Sequence, residues 1–194
     1  MKLSVTCLTV MVSLIGGSPQ PAEAHPHLFI DVSAKFMLTD STLDCVNVFW
    51  ELDEMTSAGL IEEFDANRNN RFEKQEYTIL ENEAFSYAAG SNFFTVVTWG
   101  KNLLRINETR HFVAIILPDK KIRYSFSIPL NIRLPELEQE KLVLFFNDPS
   151  MFVAFDLNKK MIQSAENSRW TGTVTFEKEN YSDLILLRVQ RKPQ

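Results

Sequence analysis

The stretch LFIDVSAKFML, residues 28–38, and its successor LDCVNVFWEL, residues 43–52, decide the fold. Both alternate apolar and polar residues and are rich in β-branched and aromatic types, which is typical of strands with one buried face. The segment 39–42, Thr-Asp-Ser-Thr, lies between them and has the composition of a turn. We therefore predict that a β-hairpin begins at Leu28.

Two histidines lie just before this hairpin. In an extended strand His25, His27, Phe29 and Asp31 share one face. A chain cut after residue 24 would begin at His25, so an α-amine would join the two imidazoles, and these nitrogens suit Zn, Ni, Co and Cu. Pro26 has no N–H and excludes a chelate through ionised backbone amides. The expected metal ligands are therefore His25, with its amine and ring, and His27.

Residues 1–24 have the features of a secretory signal peptide. Lys2 precedes a short apolar run at 3–15, and Ala-Glu-Ala at 22–24 is a small-x-small cleavage site. The apolar run is shorter than the ~20 residues that a membrane-spanning helix needs, and charged residues interrupt every later one. We expect residues 25–194 to form a single periplasmic domain that does not span the membrane.

The composition favours cations as partners. The net charge is −5 and 45% of the residues are hydrophobic, which suits a domain with a real core and argues against binding to nucleic acid or anionic lipid. Cys45 would be the one cysteine left after cleavage, so no internal disulfide is expected and a buried thiol is predicted.

Residues from about 53 to 89 change to helical spacing on both sides of a polar loop at 65–76. Asp53 or Thr56 can cap the first helix. Positions 1, 3, 5, 9 and 12 of a calcium loop need side-chain oxygens and position 7 binds through its carbonyl. The residues at these positions are Asp65, Asn67, Asn69, Glu73 and Glu76, with Arg71 at position 7. This layout predicts an EF-hand-like insertion with weak calcium binding, or else an Asn-rich helix connector without an ion.

The remainder of the chain consists of short segments rich in Phe, Val and Ile, separated by turn residues. The predicted strands are 93–99, 103–106, 111–117, 121–128, 141–146, 151–157, 170–176 and 184–189. Residues 129–140 are predicted to form a longer loop that contains a turn of helix. Trp50, Trp99 and Trp170 are predicted to lie in the core. The expected fold class is α+β, mostly antiparallel β as a sandwich or twisted sheets, with the helical pair inserted.

Further ligands for the terminal metal come from several candidates. They are His111, Asp31, Asp53, Glu54 and Asp148, and the sequence does not choose among them. We find no nucleophile elbow, phosphate loop, CxxC or HExxH pattern, so a binding protein is predicted rather than an enzyme.

Four motifs in order resemble a known family. They are Ala-His-Pro-His-Leu-Phe-Ile-Asp at 24–31, Trp-x-x-Asp-Glu-Met-Thr-Ser at 50–57, the loop at 65–76, and Asn-Asp-Pro-Ser-Met-Phe-Val-Ala-Phe-Asp at 147–156. This pattern resembles the periplasmic proteins grouped as domain of unknown function 1007. The resemblance implies a component of an ABC-type transport system and a membrane transporter of nickel or cobalt type as partner.

The leading hypothesis is thus a periplasmic protein of a Gram-negative bacterium that captures a divalent transition metal through His25 and His27 for a transporter. One alternative is a copper enzyme that uses the terminal histidine brace for oxidative chemistry. Another is a calcium-stabilised interaction module.

Overall fold

The computed structural model describes residues 26–179 and 182–193, and in these residues most of the regular structure is β. Two sheets contain the strands. The strands are β1 Leu28–Leu38, β2 Thr42–Leu52, β3 Thr95–Trp99, β4 Asn102–Leu104, β5 Arg110–Ile116, β6 Ile122–Arg133, β7 Leu142–Phe146, β8 Val153–Leu157, β9 Gln163–Ser164, β10 Trp170–Glu179 and β11 Ser182–Arg191. The α-helices are α1 Glu54–Phe64, α2 Lys74–Glu83 and α3 Leu134–Leu137, and 3-10 segments cover Phe85–Phe94 and Lys159–Met161.

The predicted first hairpin is confirmed. β1 and β2 pair antiparallel, with Ile30 opposite Leu52 and Phe36 opposite Val46. The apolar residues at alternate positions face the core, and the residues between them, most of them polar, face outward.

The first sheet has the strand order β5-β6-β2-β1-β8, with β9 also beside β1, and the second has the order β10-β11-β7-β3-β4. Pairing is antiparallel except that β8 and β9 run parallel to β1. The parallel pair brings Leu28 beside Val153, so the start of β1 lies against a segment more than a hundred residues later in the chain. This pairing fixes the surroundings of the amino-terminal end of the domain.

One hydrophobic core joins the two sheets, and Trp50 lies within it. The Trp50 ring is 4.8 Å from that of Phe126 in β6, 6.5 Å from that of Phe146 in β7 and 5.9 Å from that of Phe155 in β8. Trp50 and Trp170 are buried as predicted, and Trp99 packs against the core while partly buried.

Helix, polar loop and helix lie between β2 and β3, as expected. Asp53 is the N-cap of α1, and Glu73 and Glu76 form a capping box at the start of α2. Ser57 is fully buried, and its hydroxyl donates to the Leu52 carbonyl at 3.3 Å and accepts from the Ile122 N–H at 2.9 Å. These hydrogen bonds fasten α1 to the first sheet.

The sequence prediction is wrong for part of residues 129–140. β6 continues through Pro129 to Arg133, and only then does the helical turn α3 follow. Pro129 is opposite Cys45, where the β2–β6 register is irregular. Proline lacks the N–H of a regular ladder and is tolerated at such irregularities. The two-residue strand β9 was also not predicted.

Candidate metal sites

The start of the described chain lies on the surface, held by the loop before β8. The N–H groups of His27 and Leu28 both donate to the Phe152 carbonyl, at 2.8 and 3.2 Å. The His27 ring is exposed and packs at 5.2 Å from the Phe152 ring. His25 lies outside the described residues. The anchored backbone and exposed imidazole leave His27 free to bind a ligand.

The outer face of β1 has the residues that the alternation predicts. Phe29 is 54% exposed, and Asp31 is exposed as well. Asp31 is four residues beyond His27, or roughly 13 Å at about 3.3 Å per residue. This backbone separation exceeds the combined reach of the two side chains and two metal bonds of about 2 Å, so the strand does not bring Asp31 and His27 together at one ion.

Asp148 is buried and holds its own loop together. One carboxylate oxygen accepts from the Ser150 N–H at 2.9 Å, and the other accepts from the N–H groups of Phe152 at 3.1 Å and Val153 at 2.9 Å. The Ser150 hydroxyl contacts both oxygens. Burial alone would raise the pKa of Asp148, but these hydrogen bonds outweigh it and the pKa lies below its ordinary value. Asp148 therefore positions the loop whose Phe152 carbonyl anchors His27.

His111 lies far from His27. It is exposed near the start of β5 with a left-handed φ of 57°, at an irregularity in the β5–β6 register. Successive pairings across β6 and β2 place its neighbour Arg110 level with Lys35 of β1. Lys35 is eight residues from His27, roughly 26 Å along the strand. The structure does not bring His111 and His27 to a common ion.

Asp53 lies beside Phe29 but is occupied by helix capping. Its carboxylate accepts from the N–H of Thr56 at 2.8 Å and the N–H of Phe29 at 2.9 Å. Burial opposes the charged form, yet these hydrogen bonds lower the pKa of Asp53 overall. The adjacent Glu54 is exposed and lines a shallow cavity with Phe29 and Asp31.

The loop at 65–76 is organised around the buried carboxylate of Asp65. That carboxylate accepts from the N–H groups of Asn69 at 3.2 Å and Asn70 at 2.8 Å. Asn70 has a left-handed φ of 61°, as does Arg68 at 57°. Asparagine tolerates this conformation better than most residues, so Asn70 takes the position where a calcium loop has glycine.

Hydrogen bonds also occupy the other predicted ligand residues. The amide groups of Asn67 and Asn69 donate to Glu73, at 2.8 and 2.5 Å. Glu76 is buried and accepts from the Ala66 N–H at 3.0 Å. Hydrogen bonding to Glu76, and then to the two amides, holds the pKa of Glu73 below its ordinary value. The loop thus has side-chain oxygens on its inner side and is closed by its own hydrogen bonds.

A cavity of about 620 Å³ lies between this loop, α1 and the β5–β6 turn. Asp65 and Asn70 line it from the loop, and Asp119 and Lys120 line it from the turn. The Lys120 ammonium donates to the Asn70 side-chain oxygen at 2.7 Å. Sequence reasoning did not find this contact, because fifty residues separate the partners and neither has a distinctive motif.

Within 26–179 and 182–193, no group of three or more His, Cys, Asp or Glu side chains is arranged to hold a metal ion. Over the same residues, no helix has the length and apolar character to cross a membrane. The Cys45 thiol is free and half-buried.

A model of one protein family covers most of the chain. The family described as protein of unknown function (DUF1007) matches residues 10–182. The chain belongs to the DUF1007 family. The match includes all four motifs that carry the resemblance. An uncharacterised protein of Haemophilus influenzae is 25% identical over 137 residues, which are 71% of this chain and 65% of that protein. The aligned part of this DUF1007 protein thus spans less than two thirds of its relative's length.

Proposed function

We propose that this DUF1007 protein is exported to the periplasm, cleaved after residue 24, and binds one divalent transition metal for delivery to a membrane transporter. The ligands are the α-amine and ring of His25 and the ring of His27. Zn, Ni, Co and Cu all accept such nitrogen ligands. The ligands must be deprotonated, so binding weakens as the pH falls.

One observation carries this proposal: the His27 imidazole is exposed while its backbone is fastened to Phe152. Because the backbone is already anchored, the entropic cost of ordering the terminus when a metal binds is lower. Exposure keeps the site accessible to a partner that removes the metal. Because Asp148 is occupied in its loop and His111 is distant, the proposed site depends on His25 and His27.

The test is metal titration of the exported protein with matched histidine variants. His25→Ala together with His27→Ala should abolish stoichiometric binding of Zn(II), Ni(II) or Cu(II) and leave the melting temperature of the metal-free protein unchanged. His111→Ala removes an exposed imidazole elsewhere and should bind as the parent does. Equal binding by the double variant and the parent would refute the proposal.

A second candidate function is calcium binding at the 65–76 loop, which we propose to be EF-hand-like. Support comes from the left-handed Asn70 and from the two backbone N–H groups bound to Asp65. Because Asn67 and Asn69 replace charged ligands, we expect affinity at the weak, millimolar end of the calcium-loop range. Calcium would then stiffen the pair of helices α1 and α2, which the hydrogen bonds of Ser57 in α1 fasten to the first sheet.

Thermal unfolding with and without calcium tests this second proposal. At a calcium concentration ten times the dissociation constant, binding would stabilise the fold by about 1.4 kcal/mol. Glu76→Gln should remove this gain, whereas Glu138→Gln, an exposed change just after α3, should keep it. An equal melting temperature with and without calcium in the parent protein would exclude the site.

A further inference from the structure

The turn between β5 and β6 is a rigid support for Lys120. Its backbone closes with two hydrogen bonds, from the Leu117 N–H to the Lys121 carbonyl at 2.8 Å and from the Lys120 N–H to the Leu117 carbonyl at 2.9 Å. Lys120 itself has a left-handed φ of 68°. The turn therefore presents the Lys120 side chain from a fixed backbone.

A short chain of contacts joins this ammonium group to the first position of the calcium loop. Lys120 donates to the side chain of Asn70 at 2.7 Å, and the backbone N–H of Asn70 donates to Asp65 at 2.8 Å. Lys120 and Asp65 also line the same cavity. A positive charge is thereby held next to a loop whose proposed ligand is a cation.

The other charges around the cavity do not duplicate this arrangement. Arg68 belongs to the loop and is exposed, and Asp119, Glu54 and Glu62 are carboxylates on the rim. Lys121, the next residue in the turn, is directed elsewhere, with its ammonium 3.9 Å from Glu51. Among the residues that line this cavity, Lys120 is the cation that comes from outside the loop.

We infer that Lys120, although outside the loop, sets its calcium affinity by electrostatic repulsion of the bound ion. This inference rests on the calcium site proposed above. As a general scale, a unit charge within about 10 Å of a divalent ion in a water-like dielectric changes the affinity for that ion by about threefold to tenfold. The effect should shrink as salt rises, because the Debye length falls from about 10 Å at 0.1 M to about 3 Å at 1 M.

Calcium titration by calorimetry of four proteins tests the inference: the parent, Lys120→Met, Lys120→Arg and Lys121→Met. Lys120→Met should bind calcium threefold to tenfold more tightly than the parent at low salt, and the gain should largely disappear at 1 M salt. Lys120→Arg keeps the charge and should match the parent. Lys121→Met removes a neighbouring charge that lies 3.9 Å from Glu51 and should raise the affinity less than Lys120→Met does.

The outcomes separate the two claims. Calcium binding by the parent with equal affinity in Lys120→Met would overturn the role of Lys120 and leave the calcium site standing. A gain in Lys120→Met that persists unchanged at 1 M salt, or that Lys120→Arg shares, would overturn the electrostatic mechanism. Absence of calcium binding in all four proteins would overturn the site and the inference together.

Discussion

Replacing Asp148 by asparagine tests whether this residue positions the terminus or binds the metal itself. Asparagine keeps the shape but turns one acceptor oxygen into a donor amide. The new amide has one oxygen, which can accept either from the Ser150 N–H or from the N–H groups of Phe152 and Val153, so at least one N–H loses its acceptor. An N–H left unpaired away from water costs about 1–3 kcal/mol, so we expect a loss of about 1–3 kcal/mol.

For a chain of this size such a loss lowers the melting temperature by roughly 2–12 °C. Circular dichroism during thermal and urea unfolding would measure it. The matched control is Asp156→Asn, the same chemical change at an exposed position of β8, where less than about 0.5 kcal/mol is expected. Equal stability of the two variants would refute the hydrogen-bond reasoning for Asp148.

The pH dependence of the same comparison gives a second readout. The pKa of Asp148 is lowered from its ordinary value of 3.8. Its contribution to stability is therefore fully present above that value and is lost as the pH falls through the lower pKa of the folded state. The stability difference between parent and Asp148→Asn should be constant near neutral pH and shrink below about pH 4. A difference that begins to close near pH 7 would point to another group.

Three further substitutions or probes test the fold. Ser57→Ala leaves the buried N–H of Ile122 without its acceptor and should cost about 1–3 kcal/mol, seen as a lower urea midpoint; an unchanged midpoint would contradict the role of this hydroxyl. Gly172→Ala would place a Cβ 2.1 Å from the Ser164 hydroxyl oxygen. We therefore expect the free energy of unfolding to fall by about 1–3 kcal/mol in the same assay, and parental stability would mean that β9 does not lie against Gly172. Burial, and then the charge of Asp44, raises the pKa of the Cys45 thiol to about 11. Iodoacetamide at pH 8 should therefore label Cys45 about a hundredfold more slowly than an ordinary thiol. Labelling at the ordinary rate would contradict this environment.

Local patterns in the sequence predict several parts of this fold. Alternation in β1 and β2 gives the hairpin and its buried face, and helical spacing with an Asp53 cap gives α1. The order of oxygen-bearing residues in 65–76 gives a loop whose backbone has the expected left-handed residue at Asn70. Each of these features depends on residues close together in the chain, so composition and spacing contain the information.

Long-range pairing could not be predicted in the same way. The parallel pairing of β1 with β8 brings His27 to Phe152 and separates it from His111, and no local signal encodes that choice. In the sequence, Asp148 fits both a metal ligand and a turn residue. Only the N–H groups that donate to its carboxylate in the folded loop show that it is a turn residue. The sequence alone therefore could not decide which of the candidate ligands lie close enough together to bind one ion.

Native mass spectrometry of the protein isolated from the periplasm tests the central claim most directly, because one spectrum reports both the first residue and the bound ion. We expect a chain that begins at His25 and carries one transition-metal ion, and a metal-free chain of the same length for the His25→Ala, His27→Ala variant. A different first residue, or a parent chain that stays metal-free after incubation with Zn(II), Ni(II), Co(II) and Cu(II), would contradict it.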